Sequence, residues 1–434
     1  MQRKEYTNLL KWKSSKNRKP LIIRGARQVG KTWLMKEFGE KAYKQYMYVN
    51  LETHKHLKQV FEQYDINLII DALQIETSIK FDAKNTLIIL DEIQEIPEAL
   101  NSLKYFYENV PHYHIIAAGS LLGVALHKNT SFPVGKVDFL NLYPLNFKEF
   151  LHALNENALI DLIENANWEL IKTFKNKYIE KLKQYYFVGG MPEAVVEFSN
   201  NKDYNSVREI QNNILSAYEQ DFSKHAPTTI IPRIRMIWNS IPAQLSKENK
   251  KFIYGLLKKG ARAKEYELAL SWLVDTGLVY KIHNVNKPAI PLKAYEDINT
   301  FKLFILDTGL LSALSQLDSH TLLEGNSIFE EFKGALTEQY VLQQLTSQKD
   351  LYIYYWSSQK SKAEIDFLIQ TNNKIIPLEV KAAENLQAKS LKVFAKKYKP
   401  LLSIRTSMSD FRKETWMVNI PLYTLNSHIW NIKI

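Results

Sequence analysis

Leu21-Ile-Ile-Arg-Gly-Ala-Arg-Gln-Val-Gly-Lys-Thr32 is a short apolar run that breaks into the spacing Gly25-x-x-x-x-Gly30-Lys31-Thr32. This is the complete P-loop pattern, and its context fits: residues 21–23 read as a buried strand and 33–38 as the first turns of a helix. The glycines let the backbone turn so that successive N–H groups face inward, with the positive end of a helix behind them. Such a loop cradles a polyanionic phosphate. The cradle is expected to comprise Gly25, Ala26, Arg27, Gln28, Val29, Gly30, Lys31, Thr32 and Trp33. Lys31 should reach the β- and γ-phosphates, and Thr32 should ligate Mg²⁺.

Downstream, residues 45–52 have the aromatic and β-branched content of a second strand, and 57–80 read as mostly helical. Asn85-Thr-Leu-Ile-Ile-Leu-Asp91-Glu92-Ile-Gln94 is an apolar strand ending in two acids. Asp91 at the strand end can hold Mg²⁺ directly or through water, and Glu92 can polarise or position an attacking water. After a helix over 99–109, residues 113–120 form a further apolar strand ending in Gly119-Ser120. Neighbouring strands of such a sheet end at one edge, which makes Ser120 a candidate sensor of the γ-phosphate or the water.

Taken together, GARQVGKT, LIILDEIQ, AAGSLL, Leu142-Tyr-Pro-Leu-Asn-Phe-Lys-Glu-Phe150 and Gly189-Gly190-Met-Pro192-Glu193 resemble a prokaryotic family of AAA-type ATPases with a C-terminal domain of unknown function. The resemblance covers nearly the whole chain. It implies ATP binding and hydrolysis, with Asp91 and Glu92 as the Mg²⁺ and water residues. Relatives often carry Gly-Arg where this chain has Gly135-Lys136. A lysine lacks the planar fork of a guanidinium, so it would stabilise a transferring phosphoryl group less well from a neighbouring subunit.

The chain has 434 residues, enough for roughly three domains. No run approaches the ~18 to 20 apolar residues of a membrane span, and the start carries no apolar signal core, so the expected location is cytoplasmic. With no cysteine there is no thiolate zinc site, and the ten histidines show no paired ligand spacing, so any metal should be oxygen-bound. The net charge of +11 makes a polyanionic partner plausible. Residues 224–300 hold thirteen Lys/Arg against six Asp/Glu, more than half of that surplus.

Residues 147–218, with Trp168, Phe174, Tyr178, Leu182 and Tyr185 at near-helical spacing, read as a helical lid whose aromatics form core. Residues 252–259 and 266–274 read as two helices and 276–282 as the start of a β-ribbon, the order of a winged helix. Its basic surface suits a nucleic-acid backbone, while the acidic and apolar second helix argues against base readout.

In the last third, a helix over 329–345 carries Glu338, and strands follow at 352–356, 363–369 and 375–381. An acid on the leading helix, Asp366 on one strand and Glu379-x-Lys381 on the next make the PD-(D/E)xK nuclease constellation. Period-two spacing puts Glu379 and Lys381 on one strand face. Asp366, Glu379 and Glu338 would bind Mg²⁺, and Lys381 would orient or activate water.

The expected architecture is therefore α/β: an AAA-type ATPase domain with a helical lid over 1–220, a winged-helix-like domain over 221–322 and a restriction-endonuclease-like α/β domain over 323–434. Two functions compete: an ATP-driven DNA-processing enzyme, and a nucleotide-gated switch whose nuclease-like domain cuts nothing. Expected partners are ATP, Mg²⁺, a nucleic acid bound through 224–300 (DNA, with RNA open on charge alone) and further copies of the chain.

Overall fold

The computed structural model describes residues 2–120, 132–248, 250–325, 330–348, 350–358, 363–384 and 387–429. Leu121 and Leu122 of the AAGSLL segment and Phe329 of the expected helix lie outside them. The chain divides into two compact units, residues 1–143 with Asp275–Gly277, and residues 144–274 with 278–434.

The first unit is built on five parallel strands: β1 (Leu21–Arg24), β2 (Gln45–Asn50), β3 (Thr86–Asp91), β4 (His114–Gly119) and β5 (Asp138–Asn141), in the order β2-β3-β4-β1-β5. All six residues of β3 are buried, which is why the segment is a continuous apolar run rather than an alternating one. Strand β4 lies between the P-loop strand β1 and the acid-bearing strand β3, pairing Ile116 with Leu21 on one side and with Ile89 on the other. Helices Lys31–Ala42, Ile66–Thr77 and Pro97–Asn109 each bury an apolar stripe. Asp65 starts the second of these by accepting the N–H groups of Asn67 and Leu68, a cap of about 1 kcal/mol.

The second unit opens with helices between Phe147–Ala153 and Ile231–Leu245. Tyr178, Leu182 and Tyr185 are buried as expected of a lid core. Phe174 is not: it is 47% exposed, and Trp168 is half-buried against the Phe411 ring.

The expected helix over 252–259 is absent; only a 3₁₀ turn, Tyr254–Leu256, forms there. The start of the segment is instead held extended at Ile253, with Phe252 N–H bonded to Phe301 O and the Gln244 amide bonded to both N–H and C=O of Ile253. Gly255 and Gly260 weaken any competing helix. Helix Ala263–Asp275 does form, followed by the antiparallel pair β6 (Val279–Val285) and β7 (Glu296–Ile305).

This ribbon is not a free wing. It continues into β8 (Tyr352–Ser357), β9 (Glu364–Thr371), β10 (Lys374–Val380), β11 (Ile404–Ser407), β12 (Arg412–Lys413) and β13 (Val418–Pro421) as one eight-stranded sheet, ordered β12-β13-β11-β10-β9-β8-β6-β7. Hydrogen bonding thus runs across residues 322 and 323, where the sequence suggested a boundary.

Four sequence segments remote from one another meet in this unit. Leu145 N–H donates to Gly190 O, Gly190 N–H donates to Asp307 Oδ2 at 2.6 Å, and Gln343 donates to the same carboxylate at 2.8 Å. A Cβ on Gly190 would stand 2.1 Å from Leu145 O, so the Gly-Gly turn serves close backbone approach.

Candidate nucleotide site

The P-loop takes the strained backbone its glycines permit. Gly25 has φ 154°, Gln28 φ 65° and Gly30 φ 92°, and helix Lys31–Ala42 starts directly behind. Gly25 is also fixed by space, since a Cβ there would lie 2.2 Å from Leu142 O. Ala26 and Val29 are buried, Gln28 and Trp33 are exposed, and Arg27 and Thr32 lie between. Arg3 braces the loop by donating to Val29 O at 3.0 Å.

Lys31 is 6% exposed, and its ammonium donates to Gly25 O at 2.9 Å and Ala26 O at 2.8 Å. Burial lowers its pKa to about 8, against the opposing pull of Glu92 and Asp91. A buried cation short of counter-charge is a ready receptor for phosphate.

Strand β3 delivers Asp91 beside the loop. Its Oδ2 accepts Thr32 Oγ1 at 2.6 Å and the Tyr48 hydroxyl at 3.1 Å, while Oδ1 accepts Glu92 N–H. Glu92 follows in the left-handed region at φ 49°, which turns its carboxylate away from the strand. That carboxylate accepts Ser120 Oγ at 3.0 Å and Gln94 Nε2 at 2.7 Å, and Arg27 Nε reaches Ser120 Oγ at 3.4 Å. The ends of β1, β3 and β4 therefore bring Lys31, Thr32, Asp91, Glu92 and Ser120 into one polar cluster. The hydroxyl and carboxylate oxygens of Thr32 and Asp91 are the donor chemistry that suits Mg²⁺.

The sequence reading missed Tyr48, Gln94 and Arg3. Tyr48 was legible only as a strand aromatic; its role depends on β2 lying beside β3. Lys136 pairs with Glu108 of the same chain at 2.9 Å.

The C-terminal constellation also converges. Glu379 Oε1 lies 2.8 Å from Lys381 Nζ, and Asp366 Oδ2 accepts Val380 N–H at 2.7 Å. Glu338 is 4% exposed and is bound by Lys250, with Lys302 Nζ 3.6 Å from its other oxygen. Lys302 is itself 2.5 Å from Glu364 Oε1. Burial works against the charge on Glu338, but Lys250 and Lys302 outweigh it and hold the carboxyl below its usual range. Burial and then the facing Glu338 push Asp366 up to about 7. Among the described residues no group of three or more His, Asp or Glu is arranged to hold a metal ion, which corrects the expectation of Glu338, Asp366 and Glu379 as a ready ligand set. Lysines pair with Glu338 and Glu379 instead, and sequence spacing gave no sign of Lys250 or Lys302 in this place.

Three family models match the chain. Residues 17–151 match an AAA domain, 179–321 a domain of unknown function (DUF8612) and 333–425 another (DUF4143). The N-terminal unit is a P-loop AAA-type ATPase domain. No curated protein matches significantly. Among solved structures, the Walker-type ATPase PABY2304 of Pyrococcus abyssi aligns at 16% identity and TM-score 0.44, over 72% of this chain and 95% of that one. The Aeropyrum pernix Orc1 protein, solved in complex with DNA, aligns at 13% identity and TM-score 0.29, over 72% and 91%. A STAND protein of Pyrococcus horikoshii with a tetratricopeptide-repeat sensor aligns at 15% identity and TM-score 0.26, over 80% and 46%. No helix among the described residues is long and apolar enough to cross a membrane.

Proposed function

We propose that the chain is a Mg²⁺-dependent ATPase that works as a nucleotide-operated switch on a polyanionic partner. The observation that carries the ATPase reading is the convergence of Lys31, Thr32, Asp91, Glu92 and Ser120 at neighbouring strand ends. Lys31 and the loop N–H groups hold the phosphates, and Thr32 and Asp91 hold Mg²⁺, which when bound draws charge from the β- and γ-phosphates. Glu92 orients the attacking water, and Ser120 keeps that carboxylate aimed.

The partner reading rests on surface charge. Lys258, Lys259, Arg262 and Lys264 are all exposed in one short stretch before and within the first turn of helix Ala263–Asp275. This suits DNA bound by its phosphates. The DNA-processing alternative retains one favouring observation, the meeting of Asp366, Glu379 and Lys381; the switch reading is preferred because those acids already have cationic or N–H partners. ATP turnover of the wild type and of Lys31→Ala, with duplex DNA binding measured in ATP and ADP, tests the proposal. Equal turnover by the two proteins would end the ATPase assignment, and equal DNA affinity in both nucleotides would end the switch.

A further inference from the structure

Each acid of the C-terminal cluster already has a cationic or N–H partner. Both oxygens of Glu338 face ammoniums, those of Lys250 and Lys302. Glu379 gives one oxygen to Lys381 and the other to Leu391 N–H at 3.2 Å. Asp366 takes Val380 N–H, and Glu364 takes Lys302. Three lysines thus face four acids, a surplus of one negative charge at most. A hard dication needs several free oxygens and enough negative charge to replace its water, so this set does not fit Mg²⁺.

The three lysines are not equivalent. Lys381 belongs to the constellation itself. Lys302 lies within β7, 1% exposed, and is fixed by Glu364, Glu338 and the Tyr355 ring, whose centroid is 4.9 Å away. Lys250 comes from outside the sheet, on the connection between helix Ile231–Leu245 and Phe252. Withdrawing it breaks no strand.

We propose that Lys250 is the resident counter-ion of the C-terminal acid cluster, standing where a dication would sit, and that the site accepts a divalent cation only when this ammonium is removed. The cluster as built is then a charge lock that ties the connection after helix Ile231–Leu245 to the sheet. Whatever displaces that connection would convert the lock into a metal site. This goes beyond the ATPase reading and is independent of it.

The test is Mn²⁺ titration of the nucleotide-free full chain, followed by the electron paramagnetic resonance signal of free Mn²⁺. Wild type and Asp366→Asn should bind alike, because the cluster takes no metal. Lys250→Met should gain one site at least tenfold tighter than any in wild type, abolished in Lys250→Met/Asp366→Asn, and its melting temperature should rise with Mn²⁺. Lys250→Arg should behave as wild type. If Lys250→Met does not fold in chelator, refolding yield with and without Mn²⁺ reads the same exchange. The proposal is overturned if Asp366→Asn removes Mn²⁺ from the otherwise wild-type chain, if folded Lys250→Met binds no more than wild type, or if Mn²⁺ fails to restore its folding.

Discussion

Ser120 Oγ donates to Glu92 Oε2 at 3.0 Å, across the gap between the ends of two adjacent parallel strands. The hydrogen bond joins a residue at the end of β4 to the carboxylate best placed to meet water, and it leads to the first prediction. Glu92→Gln should retain ATP and hydrolyse it at least ~100-fold more slowly, because an amide cannot take a proton or polarise water as a carboxylate does. Ser120→Ala should cost about tenfold in kcat with little change in KM, since the base persists but loses its aim. Steady-state turnover and equilibrium binding of a fluorescent ATP analogue check both; wild-type turnover in Glu92→Gln would remove the assignment.

Lys31, lowered to about 8 by burial, predicts proton uptake on nucleotide binding. The free protein loses this charge as pH rises through about 8, and bound phosphate raises the pKa again. Between the two values, binding must therefore draw in a proton. Calorimetry near pH 8.5 in buffers of different ionisation enthalpy should show uptake that disappears in Lys31→Met. Affinity for ATP should fall as pH rises from about 8 through that interval and level off above it.

Tyr48 shares Asp91 Oδ2 with Thr32, so it positions the carboxylate that is expected to hold Mg²⁺. Tyr48→Phe removes only the hydroxyl. Half-maximal ATPase activity should then require several-fold more Mg²⁺, with the melting temperature nearly unchanged. An unaltered Mg²⁺ curve would limit Tyr48 to packing.

Asp307 is fully buried and accepts Gly190 N–H, Leu310 N–H and the Gln343 amide. Asp307→Ala would leave several buried donors unpaired, each costing ~1 to 3 kcal/mol. Gly190→Ala would press a methyl group against the backbone of Leu145. Both should lower the melting temperature by several degrees or more, read by calorimetry.

Lys258, Lys259 and Arg262 are exposed together, and reversing their charge should flatten the salt dependence of DNA affinity. Each phosphate that is no longer neutralised takes about 0.9 off the log–log slope. Filter binding over a salt series measures this, and an unchanged slope would place the DNA-binding surface elsewhere.

The candidate nucleotide site was legible in the sequence because its pattern is local: a phosphate loop needs glycines at fixed intervals, and Lys31 and Thr32 lie within one turn of them. Asp91 and Glu92 were legible through their place: paired acids after a strand are common turn residues, but these end an apolar strand about 60 residues beyond the P-loop lysine. The helix expected over 252–259 failed because Phe301, far along the chain, and Gln244 hold the start of that segment at Phe252 and Ile253. Local propensity cannot weigh such partners.

At the C-terminal cluster the sequence determined which acids would meet, through strand periodicity at Asp366, Glu379 and Lys381. What the acids meet was decided by tertiary structure alone. Lys302 belongs to a strand assigned by sequence to another domain, and Lys250 to a connection 88 residues before Glu338. Charge compensation in a buried site depends on which side chains the fold brings within a few ångströms, and spacing along the chain carries no record of that.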